Sequence, residues 1–214
     1  MMLIQTPVMQ RRLLLTAVAA LAVPTNGTRA QGLSVPTPRQ TAGPFYPVDW
    51  SGDADGDLVR VEGAAAQAQG VVTHLRGRVL DSAGQPVAGA LVEIWQCDAF
   101  GRYRHPRDRA DGRDAGFQGR GRVQAAADGT YAFRTIRPVA YPGRTPHIHV
   151  AVIRPGAQEA LVTQFYLAGE TTNARDFLFN GLDAQAKEAV MLRPVPAERI
   201  EAGALLAERD IVLG

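Results

Sequence analysis

The sequence predicts an all-β protein in which a single β-sandwich domain follows an extended N-terminal arm. Three observations carry this prediction: apolar or alternating runs of strand length, turn sequences rich in Gly, Pro and Asp between them, and only one short stretch of helical character. A hydrophobic fraction of 46% and a charged fraction of 21% are ordinary for a globular chain of 214 residues. This length suits one well-cored domain.

Residues 1–30 are predicted to be an export leader that is removed from the mature protein. Arg11 and Arg12 precede the apolar run 13–23, and a small-residue pattern ends at Ala30. The run is shorter than the ~20 residues that a membrane helix needs, so we expect no stable membrane anchor. The paired arginines favour twin-arginine export, with Sec export as the alternative. Either route predicts a periplasmic or secreted protein.

The charge of the chain depends strongly on this leader. The complete sequence has 23 basic and 21 acidic residues, which gives a formal net charge of +2. The leader contains three arginines and no acid, so the mature chain carries a formal charge of −1. Nucleic-acid binding needs a retained basic patch. We therefore expect no nucleic-acid partner.

Residues 31–70 are predicted to form the extended arm, which we expect to cover the functional site. They are rich in Pro, Gly and small polar residues, and they show neither helical nor strand periodicity.

Residues 71–214 are predicted to form the sandwich. The strand-like stretches, in chain order, are VTHLRGRVL, ALVEIWQCD, ADGTYAFRTI, HIHVAVIRP, ALVTQFYLAGE and AERDIVLG. The stretch DAQAKEAVML is the one clear helix candidate, and Asp183 is a plausible N-cap for it. Trp95 and Phe133 are expected in the core. Cys97 is the only cysteine, which excludes an internal disulfide, and we expect it to be a small buried filler.

Part of this pattern also suits a protein without catalysis. LRGRVLDSAGQPVAGALVEIW followed by DGTYAFRTI resembles small transthyretin-like and carboxypeptidase-regulatory-like sandwiches. Such modules often bind or merely connect, and a fold does not by itself define a function. A non-catalytic binding module is therefore the alternative to an enzyme.

Two histidines separated by one residue form a candidate metal site. Side chains alternate across an extended strand, so His147 and His149 would point the same way and could hold one ion. The usual zinc partners are missing: the sequence has no H-E-x-x-H, no C-x-x-C and no carboxylate within 138–153. A zinc-dependent hydrolase is thus a weaker third interpretation. His105 is expected to be a solvated loop residue.

Two tyrosines accompany the histidines. Tyr141 lies six residues before His147, and Tyr103 stands in GRYRH, just beyond the strand that ends near Cys97. A phenol has a pKa of ~10, so it serves as an anionic ligand at neutral pH only for a strong Lewis acid. Ferric iron is such an acid. Two phenolates would partly cancel its charge and leave it suited to one more anionic oxygen donor, such as a catechol.

The motifs TAGPFYP, GRVLDSAGQPVAGALVEIWQCDAFGRYRHPRD, DGTYAFRTIRPVAYPGRTPHIHV and TQFYLAGE extend over most of the mature chain. In this order they resemble the intradiol ring-cleavage dioxygenases, in particular the protocatechuate 3,4-dioxygenase type. The resemblance implies a non-haem Fe(III) enzyme that uses O2 to cleave a catecholic ring between its two hydroxylated carbons. The product would be a cis,cis-muconate-type diacid. The sequence leaves undecided whether the protein forms a homo-oligomer.

The resemblance also implies roles for individual residues. The implied iron ligands are Tyr103, Tyr141, His147 and His149. Arg144 falls where the family places an arginine beside the bound ring, Gln164 lines the same pocket, and Tyr141 could also accept a substrate proton.

Gly43, Pro44 and Phe45 resemble the family's segment that lies over the substrate. The stretch between Tyr141 and His147 is shorter than in well-known cytoplasmic members, and Gly143 replaces a bulky aromatic residue there. The identity of the catechol is therefore left open.

Overall fold

Two five-stranded β-sheets make up the fold, as seen in a computed structural model that describes residues 35–214. The strands are β1 (Val72–Asp81), β2 (Leu91–Trp95), β3 (Arg120–Gln124), β4 (Thr130–Ile136), β5 (His147–Ile153), β6 (Ala160–Leu167), β7 (Met191–Leu192), β8 (Val195–Pro196), β9 (Leu205–Glu208) and β10 (Ile211–Leu213). A 3-10 helix (Thr171–Arg175) and the helices α1 (Phe177–Asn180) and α2 (Ala184–Ala189) lie between β6 and β7. The predicted leader falls outside the described residues.

The first sheet is organised around β1. This strand pairs antiparallel with β4 and parallel with β9 and β10, and β8 pairs with β9. The stretch AERDIVLG, predicted to be the last strand, contributes to two strands, β9 and β10. Between these two strands, the Arg209 backbone N–H donates to Arg76 O at 2.9 Å, and the Arg78 N–H donates to the Asp210 carboxylate at 2.9 Å.

The second sheet has the order β3-β2-β5-β6-β7, which places β5 at its centre. The alternate residues Ile148, Val150 and Val152 of β5 belong to the main hydrophobic core. His147 and His149 lie on the opposite face and are also buried, because loops and the arm cover this face. The sheet therefore has an apolar inner face and a covered second face, on which the two histidines lie beside a smaller hydrophobic cluster.

In residues 35–70 the arm contains no helix or strand, only an isolated bridge between Asp57 and Arg134, and it contributes Leu58, Val59 and Ala68 to the main hydrophobic core. Its backbone is tied to both sheets: the Thr37 N–H donates to Val212 O at 2.9 Å, and the Gln40 N–H donates to Val162 O at 2.8 Å. The exact limits of the arm and of the sandwich stay predictions.

Two local predictions differ in detail from the structure. The predicted helix forms as α2, with Asp183 as its N-cap accepting from Ala186 N at 2.8 Å, but it ends early because Met191 pairs in β7. The charged stretch that forms β3 was not predicted as a strand. No helix in residues 35–214 is long and apolar enough to cross a membrane.

Candidate active site

The two histidines of β5 face each other. Their Nε2 atoms are 3.2 Å apart, and each residue is about 1% exposed. Trp95 and Gln164 flank His149 on the neighbouring strands, and Tyr166 flanks His147. The strand geometry thus brings the predicted histidine pair together.

Both imidazoles are neutral. Burial and the charge of Arg144 lower the pKa of His147 to about 4, and burial together with His147 and Arg144 lowers that of His149 well below its usual value. His147 Nδ1 lies 2.6 Å from Thr145 O, and a carbonyl can only accept, so Nδ1 carries the proton. The lone pair of His147 is therefore on Nε2, the atom that faces His149.

His149 is held differently. Its ring stacks on Trp95 with 4.8 Å between centroids and an interplanar angle of 6°. The arm contacts it from another side, because a Cβ added to Gly43 would lie 3.4 Å from His149 Cε1. His149 Nδ1 is buried and has no hydrogen-bond partner within residues 35–214.

The predicted phenols lie beside this pair. Tyr103 Oη is 3.4 Å from His147 Nε2, and the rings of Tyr103 and Tyr141 meet edge to face at 5.6 Å. Tyr103 is buried and Tyr141 is only partly covered. Burial raises the pKa of both phenols, and the charge of Arg144 opposes this shift at both. Each phenol thus keeps its proton at neutral pH unless a cation binds it.

These donors fit the ferric ion that the resemblance implies. Within residues 35–214, no group of three or more His, Cys, Asp or Glu side chains is placed to hold a metal, so an ion here would need phenol oxygens. Two neutral imidazoles converge on Nε2, next to the Oη of Tyr103. A hard trivalent cation would supply the charge that converts nearby phenols to phenolates.

Arg144 and Gln164 form a hydrogen-bonded pair next to the histidines. Arg144 Nη2 donates to Gln164 Oε1 at 2.6 Å, and Gln164 Nε2 donates to Thr41 O of the arm at 3.0 Å. Arg144 Nε donates to Asp176 Oδ2 at 2.8 Å. The guanidinium therefore stands in a fixed orientation.

The arm residues predicted to cover the substrate do not all make equivalent contacts. Phe45 stacks on Tyr103 with 4.5 Å between centroids, and Gly43 lies against His149. Pro44 is exposed. His105 corrects a prediction: it is 3% exposed rather than solvated, because its ring packs edge-on against Phe45 and its Nδ1 accepts from Arg107 N.

Two residues at the site were missed from sequence. Tyr166 Oη donates to Gln40 Oε1 at 2.6 Å and lies 3.3 Å from Gln164 Oε1. Its place two residues after Gln164 on one strand could have revealed it. Asp176 had no such signal, because it is 32 residues from Arg144 in the chain.

Fold and site together define a class, namely β-sandwich proteins with a buried imidazole and phenol cluster suited to a Lewis-acidic metal. A family model described as dioxygenase matches residues 41–199. The chain belongs to the intradiol ring-cleavage dioxygenase family.

Three similar proteins support this membership. The chain is 37% identical over 183 residues to the protocatechuate 3,4-dioxygenase beta chain of Burkholderia cepacia, covering 82% of this chain and 78% of the relative. It is 32% identical over 169 residues to catechol 1,2-dioxygenase 1 of Acinetobacter lwoffii, covering 71% of this chain and 52% of that protein. A solved dioxygenase domain, from a dioxygenase carbohydrate-binding protein fusion of Streptomyces sp. SirexAA-E, matches with a TM-score of 0.66 and 34% identity, covering 84% of this chain and 98% of that one.

The predicted β-sandwich fold and the predicted family are thus confirmed. The non-catalytic binding module is not favoured.

Proposed function

We propose that this protein uses O2 and a non-haem ferric ion to cleave a catecholic ring between its two hydroxylated carbons. The observation that carries the proposal is the pair of neutral imidazoles whose Nε2 atoms are 3.2 Å apart beside the Oη of Tyr103. The relatives named protocatechuate 3,4-dioxygenase and catechol 1,2-dioxygenase support the substrate class. The carbon–carbon bond breaks to give a cis,cis-muconate-type diacid.

The ion would be held by side chains from one strand and two loops. These residues are Tyr103, Tyr141, His147 and His149. When bound, the ion supplies Lewis acidity and a template for the two catechol oxygens. The protein contributes neutral imidazoles, whose burial keeps them unprotonated and ready to bind.

Tyr141 is the phenol suited to move a proton. It is less buried than Tyr103. Arg144 lowers the pKa of both phenols, but at Tyr141 its effect is second only to burial, whereas at Tyr103 the effects of Tyr141 and Cys97, which raise the pKa, are larger. We assign Tyr141 Oη as the atom that accepts a catechol proton when the substrate binds.

Arg144 and Gln164 would stabilise the ring as it becomes anionic. A guanidinium held by two hydrogen bonds is a preorganised positive charge, which stabilises developing negative charge without reorganisation. Gly43, Pro44 and Phe45 would close the site from the arm, with Phe45 covering Tyr103 and excluding water.

The enzyme is proposed to act outside the cytoplasm, on the basis of the leader predicted for residues 1–30. Expression of the full-length chain followed by cell fractionation and N-terminal sequencing tests this. A mature N-terminus near residue 31 in the periplasm or medium is expected, whereas a full-length cytoplasmic product would contradict the assignment.

The activity is tested first by the visible absorption of iron-loaded protein, before and after anaerobic addition of catechol or protocatechuate. We expect a broad tyrosinate-to-Fe(III) band that moves to longer wavelength with the catechol. Tyr103→Phe should weaken this band and lower kcat at least ~100-fold, since even residues that only support metal ligands are worth about 10- to 100-fold.

Tyr131→Phe is the matched control, because Tyr131 is a buried tyrosine whose Oη donates to Arg209 O, away from the ligand cluster. It should keep band and turnover. A protein that takes up no iron on reconstitution, and whose spectrum catechol leaves unchanged, would refute the proposed function.

A further inference from the structure

Asp176 is a fully buried carboxylate at the edge of the site. It immediately precedes α1, and its side chain has no exposed surface. Three donors surround it: Arg144 Nε at 2.8 Å, Thr145 N at 2.9 Å and Phe179 N at 3.0 Å. A buried charge is tolerated only when it is paired and hydrogen-bonded in this way.

The carboxylate is ionised at neutral pH. Burial by itself would raise its pKa, but the hydrogen bonds from Phe179, Thr145 and Arg144 outweigh burial, and the pKa lies below its usual value. Asp176 and Arg144 therefore form an ion pair whose carboxylate is fully buried and whose guanidinium is 11% exposed.

The pair fixes the direction of the guanidinium. Nε donates to Asp176 and Nη2 donates to Gln164, so two bonds from different parts of one rigid planar group define its plane and its rotation. Gln164 is itself held by Thr41 O. Without Asp176, the guanidinium would lose the carboxylate that holds Nε and would be oriented only by its remaining neutral partners, which are Gln164, Tyr141 and Tyr166.

Asp176 also fixes the backbone between Arg144 and β5. The Thr145 N–H donates to the same Oδ2 atom, while Thr145 O accepts from His147 Nδ1 and Thr145 Oγ1 donates to Asn173 at 2.6 Å. One carboxylate oxygen thus holds the side chain of Arg144 and the peptide that follows it.

We propose that Asp176 is a positioning residue that orients Arg144 for ring cleavage. This inference rests on the proposed function, in which Arg144 stabilises the anionic ring. The competing explanation is that Asp176 only caps α1. The chain provides a control for that explanation, because Asp183 caps α2 by accepting from Ala186 N and is exposed.

The test compares Asp176→Asn with Asp183→Asn in the iron-loaded enzyme. In Asp176→Asn, an NH2 group replaces one of the two accepting oxygens. This NH2 group must then face N–H donors, either those of Arg144 and Thr145 or that of Phe179. We expect Asp176→Asn to keep the ferric absorption band, to lower kcat at least tenfold and to change KM less than threefold. Asp183→Asn should stay within twofold of the parent. Urea unfolding of the iron-free variants measures any stability loss separately from activity.

A double-variant cycle separates positioning from stability. If Asp176 acts through Arg144, adding Asp176→Asn to Arg144→Gln should lower kcat less than twofold further. Losses that multiply, or an Asp176→Asn enzyme with parental kcat, would overturn the inference. Asp176→Glu keeps the negative charge and provides a second variant for the same cycle. Failure of the proposed function is distinct, because the parent protein would then show neither ferric band nor ring cleavage.

Discussion

His147 and His149 occupy equivalent places on one strand, yet the protein holds them by different means. His147 donates from Nδ1 to Thr145 O, so a main-chain hydrogen bond sets its tautomer and ring orientation. Among the described residues, none is hydrogen-bonded to His149 Nδ1, and this ring is held by the parallel ring of Trp95 and the close approach of Gly43. The orientation of the His147 ring is thus set by a backbone carbonyl, whereas the orientation of the His149 ring is set by the packing of its neighbours.

This difference indicates where the site is sensitive to substitution. No side-chain change removes the carbonyl that orients His147. The orientation of His149 can be lost by altering its neighbours, without touching the histidine. Substitutions that change the packing around His149 should therefore weaken metal binding more than substitutions elsewhere that lower the free energy of unfolding by the same amount.

The largest expected effect follows from Trp95→Ala. Removal of a buried tryptophan costs about 3–5 kcal/mol of unfolding free energy, and it frees the ring of His149. We expect this loss in urea unfolding, together with weakened iron binding at low denaturant.

Phe133→Ala is the control for Trp95→Ala, since Phe133 is a buried ring on β4 in the other sheet. It should cost a similar free energy and retain iron. Equal iron affinity in the two variants would show that stacking does not hold His149.

Acidification should destabilise the iron-free protein by about 3 kcal/mol through His147 alone, because its pKa falls from 6.5 to about 4 on folding. Between these pH values the unfolded chain binds a proton that the folded chain does not. The stabilising contribution is thus complete above pH 6.5 and is lost as the pH falls toward 4. Urea unfolding between pH 8 and pH 4 measures the slope, which His147→Gln should flatten; parallel curves would contradict the assignment.

The smallest expected effect is that of Gly43→Ala. Gly43 has a φ of +69°, so a Cβ costs about 1–2 kcal/mol in unfolding free energy, and it would also make van der Waals contact with His149 Cε1 at 3.4 Å. Gly156→Ala shares the strain, at φ +76°, without any neighbour within 4 Å. Both should lose similar stability, but only Gly43→Ala should shift the ferric absorption band. Identical spectra would indicate that the arm does not orient His149.

Local pattern was enough to predict much of the fold. The alternating and apolar runs located β1, β2, β4, β5 and β6, since burial on one or both faces of a sheet leaves a period that a short window detects. β3 was not predicted because RGRVQ carries two arginines and lacks the pattern of a strand. It forms a strand through its pairing with β2.

The residues of the site also fall into those that local pattern predicted and those that it did not. The spacing of His147 and His149 on a strand indicated that they converge, and the structure places their Nε2 atoms 3.2 Å apart. The burial of His105 and the pairing of Asp176 with Arg144 depend on contacts between distant segments. Such contacts leave no trace in a local window, so they became visible only in three dimensions.

The thiol of Cys97 can report the rate at which the site opens. Cys97 is 1% exposed and packs in one cluster with Trp95 and Tyr103, and burial raises its pKa to about 12. The thiolate is the form that reacts with alkylating reagents, so the closed protein should react with them very slowly. Labelling with iodoacetamide then reports how often the region around the phenols transiently opens, without any engineered probe.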